Sequence, residues 1–343
     1  MRAINKIIIL GDGGWGTTLA VLLAKKGFKV TLWGAFEDNI AELSKTRINQ
    51  KFLPGIKLPS SIVLTSDLIL ALKDADLIVL AIPSQFIRQV LKRVSAEGGS
   101  ACGGKELNIN SIPFLSVVKG VETETLMRVS EIIYQELGKS LKLAVLSGPT
   151  IALEAAKGVP TTAVISSSDE KLAKSLQRVF MTRRFRVYTN PDVIGVELGG
   201  SLKNVIAIAC GISDGLGFGT NTKAALLARG LAEISRMGTA MGAKKETFSG
   251  ITGLGDLVTT CISQHSRNRS VGEQIGKGRK LKNILSHMNM VAEGVATAKA
   301  AYLLSKKYRV SMPITNEVYS VLYKNKDPLK AVNDLMTREK KEE

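Results

Sequence analysis

The strongest structural signal in the sequence lies in the segment Lys6-Ile7-Ile8-Ile9-Leu10-Gly11-Asp12-Gly13-Gly14-Trp15-Gly16. Its first five residues, rich in Ile and Leu without polar alternation, are typical of a strand buried on both faces of a parallel sheet. The next six match the spacing G-x-G-x-x-G, with Gly11, Gly13 and Gly16 as the three glycines. This spacing makes a tight turn, allows the backbone to approach a pyrophosphate and lets the following helix pack closely on the sheet.

The residues after this motif complete a βαβ unit. The pattern predicts a helix from Trp15 to about Lys26, ended by Gly27, and a second strand over Lys29-Val30-Thr31-Leu32-Trp33. Such a helix would direct its free N–H groups and the positive end of its dipole toward phosphates. The sequence therefore predicts a dinucleotide-binding unit, and a glycine turn that serves packing alone is the simpler alternative.

Length and composition favour a folded protein of two domains. The chain has 343 residues, of which 45% are apolar, which is enough for a sizeable core. No uninterrupted apolar run approaches the ~20 residues of a membrane span, and the first residues lack a signal-peptide pattern. The cysteines are far apart, so we expect no disulfide framework, no metal site and a cytoplasmic location; they are Cys102, Cys210 and Cys261.

The net charge of +17 has two interpretations. It would suit nucleic acid or a membrane surface, or it would attract small anionic molecules. The basic residues are spread along the chain, and aromatic residues make up only 5%, so stacking surfaces for nucleic acid are scarce. We expect a field that favours phosphorylated ligands, with no nucleic-acid partner and no membrane insertion.

Further short apolar runs predict a mostly parallel, Rossmann-type sheet. They lie at residues 62–64, 77–82, 114–118, 143–146, 162–165 and 185–188. Ser66 is predicted to cap a helix that ends near Lys73, and residues 97–104 are predicted to form a glycine-rich surface loop.

The exits of these strands point to a ligand site. If the strands are parallel, the glycine turn, Pro83-Ser84, Lys119 and the turn 147–150 all lie at one edge of the sheet, where such folds bind ligands. Lys119 directly follows a buried strand, which makes it a candidate site residue rather than an ordinary exposed lysine.

The residues after the second strand bear on cofactor choice. Glu37 lies 21 residues after Gly16, near the position where an acid binds the adenosine ribose of NAD. Strand two is predicted to end at Trp33, so Glu37 either contacts ribose or is simply exposed. No Arg or Lys follows the strand directly, which favours NAD without excluding NADP.

Beyond residue 190 the pattern becomes helical. We therefore predict a dinucleotide-binding domain over residues 1–190 and an all-helical substrate domain over residues 191–343. Residues 193–212 are predicted to form a nearly apolar, buried helix. Its glycines predict close approach of another backbone, that of the dinucleotide-binding domain; they are Gly195, Gly199 and Gly200. Lys203 on this helix is a candidate acid/base group because burial of an ammonium lowers its pKa, as would a neighbouring cation such as Lys119. The structural alternative is an ion pair with Glu197 or Asp256.

Two later segments supply charged groups. Residues 250–257 are predicted to form a glycine-rich turn that contains one carboxylate, that of Asp256. Ser266-Arg267-Asn268-Arg269-Ser270 is predicted to be a turn whose two guanidinium groups bind a phosphate, and a solvated basic turn is the alternative. His265 is a weaker candidate for a proton donor.

Together these motifs resemble those of bacterial NAD- or NADP-dependent glycerol-3-phosphate dehydrogenases. The matching stretches occur in the family's order from about residue 5 to 325. They are residues 11–16, 52–54, 81–84, 119–120, 147–150, 190–192, 197–207, 214–219, 253–257, 266–269, 291–294 and 312–314.

This resemblance implies reversible reduction of dihydroxyacetone phosphate to sn-glycerol 3-phosphate, which supplies glycerophospholipid synthesis, by a cytoplasmic homodimer. It makes Lys203 the proton donor and acceptor, with Lys119 and Asp256 as further catalytic residues. The substrate-binding residues it implies are Lys119, Gly148, Thr150, Lys203, Asp256, Ser266, Arg267 and Asn268. The cofactor-binding residues are Gly11, Gly13, Gly14, Trp15, Gly16, Lys119, Ala152, Arg267, Val291 and Glu293.

The chain departs from the family pattern in two places. Asp12 replaces a small apolar residue and should repel a pyrophosphate unless it points away or caps the helix. Gly34-Ala35 stands where many relatives carry a basic residue or His, so the choice of NAD or NADP stays open.

Two alternative functions remain. They are a related two-domain 3-hydroxyacid dehydrogenase and a dinucleotide-sensing regulator that binds nucleic acid.

Overall fold

The structure is a computed structural model that describes residues 3–99, 109–288, 290–340 and 342. Internal contacts divide the chain into two compact units. The first comprises Met1–Lys119 with Met127–Glu197, and the second comprises Gly120–Leu126 with Leu198–Glu343. The domain boundary near residue 190 stays a prediction.

The first unit contains an eight-stranded sheet in the order β3-β2-β1-β4-β5-β6-β7-β8. Every neighbouring pair is parallel except β6 and β7, which are antiparallel, so the predicted mostly parallel sheet is confirmed. The strands are β1 (Lys6–Leu10), β2 (Lys29–Trp33), β3 (Val63–Thr65), β4 (Leu77–Leu80), β5 (Phe114–Ser116), β6 (Leu143–Ser147), β7 (Thr161–Ser166) and β8 (Phe185–Asn190).

Helices cover both faces of this sheet. Ile7 and Ile9 of β1 belong to one apolar cluster, and Ile8 and Leu10 belong to another, as expected for a strand without polar alternation. The helices are α1 (Gly14–Lys25), α2 (Glu37–Thr46), α3 (Leu68–Leu72), α4 (Ile87–Gly99), α5 (Val129–Leu137), α6 (Ala152–Ala156) and α7 (Glu170–Phe180).

Two local predictions for this unit are wrong. Helix α3 begins at Leu68, so Asp67 rather than Ser66 is its N-cap, and the Asp67 carboxylate accepts a hydrogen bond from the Leu70 N–H at 3.0 Å. The predicted loop over 97–104 does not begin at Glu97, because α4 continues through Gly99; a terminal glycine costs a helix only about 1 kcal/mol. The rest of that predicted loop lies outside the described residues.

The second unit is helical, and the described residues after Asn190 contain no strand. Its first helix, α8 (Val193–Gly215), begins in the first unit and is long and apolar enough to cross a membrane. However, 89% of its most apolar window is buried, as in the core helix of a globular protein. The others are α9 (Thr220–Ala240), α10 (Asp256–Ile262), α11 (Arg267–Gly276), α12 (Leu281–Ser286), α13 (Glu293–Lys307), α14 (Pro313–Lys324) and α15 (Pro328–Met336).

Close packing explains a glycine of α8. A Cβ at Gly199 would lie 2.7 Å from the carbonyl oxygen of Thr252. That carbonyl belongs to the helical unit, so the prediction that a backbone of the sheet domain approaches Gly199 is wrong. The segment Ile251–Gly255 is a π-helical turn that leads directly into α10, and this irregular backbone needs the space that a side chain at position 199 would fill.

Candidate active site

The glycine turn after β1 has no room for side chains at three of its positions. A Cβ at Gly14 would lie 2.6 Å from the carbonyl oxygen of Phe52. Gly11 has a φ of +119°, and a Cβ there would lie 2.5 Å from the carbonyl oxygen of Ala81. A Cβ at Gly16 would lie 2.0 Å from the carbonyl oxygen of Gly11. The turn therefore requires glycine for backbone conformation at Gly11 and for close approach at Gly14 and Gly16.

The N-terminus of α1 is open to a ligand. Gly13 is the N-cap and has no side chain. Apart from its two chain neighbours, the described residues place no atom within 4 Å of a Cβ built there. The Nε1 of Trp15 is buried and has no hydrogen-bond partner in the described part of the chain. Free N–H groups at a helix N-terminus beside open space fit a pyrophosphate, so these residues fit a dinucleotide cofactor.

Ala152 lies beside this turn. It begins α6, and its carbonyl oxygen accepts a hydrogen bond from Thr18 Oγ1 on α1 at 3.0 Å. A Cβ at Gly14 would lie 3.7 Å from the Cβ of Ala152. The structure thus brings together the predicted cofactor-binding residues of the glycine turn and Ala152.

A second group of predicted site residues meets where β5 and β6 end. Lys119 Nζ donates to the carbonyl oxygen of Gly148 at 2.7 Å and lies 3.3 Å from Thr150 Oγ1. Gly148 has a φ of +140°, a left-handed conformation that aims its carbonyl at the lysine. Because β1, β4, β5 and β6 are parallel, this ammonium lies at the same edge of the sheet as the glycine turn.

In the helical unit, Lys203 contacts oxygens of Asp256 and Thr260. Its Nζ on α8 forms an ion pair with Asp256, the first residue of α10. The same Nζ lies 2.6 Å from Thr260 Oγ1, which also donates to the Asp256 carbonyl at 2.7 Å. Lys203 is 4% exposed and Asp256 is 1% exposed. The side-chain ammonium is therefore ionically paired and fixed in direction rather than isolated.

Glu197, the other partner considered for Lys203, is engaged elsewhere. Its carboxylate accepts from Arg128 Nη1 at 2.5 Å and from the backbone and hydroxyl of Ser130 at 2.8 and 2.6 Å. Positions 197 and 203 are six residues apart on one helix, and side chains at that spacing point to different faces. The ion pair of Lys203 is therefore with Asp256.

Asn268 connects three helices. Its Nδ2 donates to Asn204 Oδ1 on α8 at 2.9 Å, and its Oδ1 accepts from the Gly294 N–H of α13 at 2.9 Å. Asn268 is buried on α11, next to Arg267 in sequence. These bonds fix the start of α11 relative to the helix that carries Lys203.

The predicted basic turn is the beginning of α11. Ser266 is the N-cap, and its Oγ accepts from the Arg269 N–H at 3.3 Å. Arg269 Nε donates to Asp214 at 2.6 Å, so a carboxylate engages this guanidinium, and phosphate binding by Arg269 stays a prediction. The sequence pattern gave no sign of this long-range carboxylate, which lies 55 residues away.

Arg267 is the other phosphate-binding candidate. It is exposed as a residue, and its Nη1 donates to the Val291 carbonyl at 2.7 Å. Surrounding protein partly desolvates the guanidinium and lowers the pKa of Arg267, while the nearby Glu293 carboxylate opposes that shift. Arginine stays cationic under such shifts. Arg267, Val291 and Glu293, all predicted cofactor contacts, are thus neighbours.

Sequence reasoning missed Thr260. The signal was present, since Thr260 lies four residues after Asp256 on a helix, and residues at that spacing share a face. His265 is exposed, and the one bond found for it among the described residues is from its backbone N–H to Ser263 Oγ at 3.1 Å.

A Rossmann-type unit followed by a helical unit with a buried, paired lysine defines the class of nicotinamide-dependent oxidoreductases with two domains. Two family models match the chain: the N-terminus of NAD-dependent glycerol-3-phosphate dehydrogenase over residues 6–173, and its C-terminus over residues 192–333. The chain therefore belongs to the NAD-dependent glycerol-3-phosphate dehydrogenase family, and the resemblance noted in its sequence is confirmed.

Individual relatives agree over nearly the full length. Glycerol-3-phosphate dehydrogenase [NAD(P)+] of Geobacillus kaustophilus is 50% identical, with 99% of this chain and 96% of the relative covered. The protein of the same name from Prosthecochloris aestuarii is 49% identical, with 98% and 99% covered. The crystal structure of glycerol-3-phosphate dehydrogenase from Coxiella burnetii has a TM-score of 0.92 at 37% identity, with 98% and 99% covered.

Proposed function

We propose that the protein catalyses the reversible NAD(P)H-dependent reduction of dihydroxyacetone phosphate to sn-glycerol 3-phosphate, with Lys203 as the proton donor and acceptor. The observation that carries this role is the buried Lys203 ammonium, held by Asp256 and by Thr260 Oγ1 at 2.6 Å. Family membership and the names of the relatives support the reaction.

The proton chemistry follows from that arrangement. A bound nicotinamide cofactor supplies the hydride that reaches the ketone carbon. As the ketone oxygen gains negative charge, the Lys203 ammonium donates a proton to it, and in reverse the neutral amine accepts that proton. The Asp256 carboxylate holds Nζ in place and stabilises its charged form.

The substrate phosphate requires cationic and polar donors. We assign the phosphate to Arg267, Ser266 and Asn268 at the start of α11. A guanidinium group can donate two parallel hydrogen bonds to two oxygens of one phosphate. Lys119, with Gly148 and Thr150, supplies a second set of polar groups for the substrate. This assignment separates the reaction from that of a 3-hydroxyacid dehydrogenase, which would need a carboxylate site.

The cofactor is assigned to the edge of the sheet. Residues 1–190 would then form the dinucleotide-binding domain and residues 191–343 the substrate domain. The N–H groups at the start of α1 would hold the pyrophosphate. The proposed cofactor contacts are Gly11, Gly13, Gly14, Trp15, Gly16, Lys119, Ala152, Arg267, Val291 and Glu293.

We also propose a cytoplasmic homodimer whose product supplies glycerophospholipid synthesis, without nucleic-acid binding or membrane insertion. The resemblance to the bacterial family supports these features. Light scattering of the purified protein would give the mass of the assembly. A monomeric mass at micromolar concentration would contradict the dimer.

The reaction is tested by nicotinamide absorbance with dihydroxyacetone phosphate, and in the reverse direction with glycerol 3-phosphate and with short 3-hydroxy acids. We expect turnover with the phosphorylated substrates and little with the hydroxy acids. Preferred oxidation of a hydroxy acid would contradict the proposal. Salt-dependent DNA binding without any absorbance change would instead favour the regulator.

A further inference from the structure

The side chain of Asp12 is bonded to α2 and does not cap α1. One carboxylate oxygen accepts a hydrogen bond from Asn39 Nδ2 on α2. The backbone carbonyl of Asp12 is fixed by Thr17 Oγ1 at 3.0 Å and by Asn49 Nδ2 at 2.7 Å. The residue is therefore held in one orientation, and its charge does not cap the helix that would bind a pyrophosphate.

The Asp12 carboxylate instead occupies the space beside the end of β2. A Cβ built at Gly34, the first residue after β2, would lie 2.7 Å from Asp12 Cγ and 2.8 Å from Oδ2. In Rossmann units an acidic side chain at this strand end accepts a hydrogen bond from the adenosine ribose of NAD. Here the carboxylate reaches the same place from inside the glycine turn.

We propose that Asp12 is the ribose-recognition group of this protein and makes it select NAD(H) over NADP(H). The inference rests on the proposed function and specifies the cofactor of that same site. Asn39 engages Oδ2, and we assign Oδ1 as the acceptor for a ribose 2′-hydroxyl. A 2′-phosphate, which carries between one and two negative charges, would face the carboxylate directly.

The charges around this position reinforce the selection. Glu37 and Asp38, in the first turn of α2, add two more carboxylates after β2. Arg47 Nη2 is already bonded to the carbonyl oxygens of Pro59 and Ile62. The cation whose charge acts on Asp12 is Lys51, which lies 5.1 Å over the Phe52 ring. Arg93, whose guanidinium lies 5.7 Å over the ring of Trp33, is a second cation near the end of β2. The carboxylates of Asp12, Glu37 and Asp38 outnumber these two cations and would repel a 2′-phosphate.

The test is direct titration of NADH and NADPH, followed by nicotinamide fluorescence, into the wild type, Asp12→Ala and Asp12→Asn. We expect the wild type to bind NADH at least about tenfold more tightly than NADPH, the worth of a charged hydrogen bond. Both variants should lose most of this ratio, because NADH binds less tightly and NADPH more tightly. Asp12→Asn keeps the shape of the side chain, so it reports on charge even if Asp12→Ala folds poorly.

Glu42→Ala is the matched control, since it removes an exposed carboxylate of α2 that is not assigned to the ribose site. Its ratio of the two Kd values should stay within about twofold of the wild type. A wild type that binds NADPH as tightly as NADH, or an unchanged ratio in Asp12→Asn, would overturn the role of Asp12 alone. Absence of binding by either cofactor would overturn the proposed function as well.

Discussion

Lys203 and Asp256 form a buried ion pair between α8 and the first residue of α10. The two residues are 4% and 1% exposed, and Thr260 Oγ1 lies 2.6 Å from the same lysine Nζ. An ammonium held in this way has a fixed direction, which a proton donor needs, and it carries an energetic consequence for the fold.

Loss of the Lys203–Asp256 ion pair is predicted to lower the stability of the protein. Lys203→Met would leave the Asp256 carboxylate buried without its counter-ion, which costs about 3–5 kcal/mol of unfolding free energy. The double variant Lys203→Met/Asp256→Leu should recover much of this loss, because no unpaired charge remains. Urea denaturation of the two variants measures the difference, and a single variant as stable as the double would contradict the energetic role of the pair.

Thr260 is predicted to position Lys203. Thr260→Val keeps the shape but removes the hydroxyl, and the loss of one hydrogen bond should lower kcat by about 2- to 10-fold. The pH profile of kcat should shift as well, since the environment of the ammonium changes. Thr260→Ser restores a hydroxyl and should restore both. If Thr260→Val has the kcat and the pH profile of the wild type, Thr260 does not position Lys203.

Arg267 is predicted to bind the substrate phosphate. Arg267→Ala should raise KM for dihydroxyacetone phosphate by about 10- to 100-fold, because a hydrogen bond to a charged group contributes roughly 1.5–3 kcal/mol. Arg279→Ala is a suitable control. The Arg279 guanidinium is exposed, follows α11 and donates a hydrogen bond to Gln274 on that helix at 3.0 Å. An unchanged KM in Arg267→Ala would assign the phosphate to other residues.

Asp12 gives a pH-dependent prediction. Burial raises the pKa of Asp12 above its usual 3.8, and the Asn39 hydrogen bond and the Lys51 charge offset part of that rise. The unfolded state therefore binds fewer protons here than the folded state, so this residue costs stability as pH rises from about 3.8 through the folded pKa. The melting temperature of Asp12→Asn relative to the wild type should increase over that range. A difference that stays constant or falls would contradict the shift.

Much of the fold follows from local sequence patterns. The uniform Ile and Leu run before Gly11 predicts β1 correctly because a strand with both faces buried needs no alternation. Gly11 and Gly16 are required by a positive φ and by close packing, and both constraints are local to the turn. The change to a helical pattern of apolar residues near residue 190 is likewise visible in short stretches of the sequence.

The hydrogen-bond and ion-pair partners of the charged site residues could not be predicted from such local patterns. The choice between Glu197 and Asp256 as the partner of Lys203 depends on how α8 and α10 pack, over 53 residues of sequence. The capture of Arg269 by Asp214 and the turn of Asp12 toward Gly34 are also tertiary effects. Residue types and spacing identified the lysine and arginine, but packing determined which partners hold them.

In the proposed reaction the Lys203 ammonium delivers the proton. The most direct test of this role is kcat of Lys203→Ala with saturating cofactor, with and without added primary amines, alongside Kd for the cofactor. We expect kcat to fall by about 10²- to 10⁴-fold with cofactor Kd nearly unchanged, and small amines to restore part of the rate. A near-normal kcat in Lys203→Ala would contradict the account.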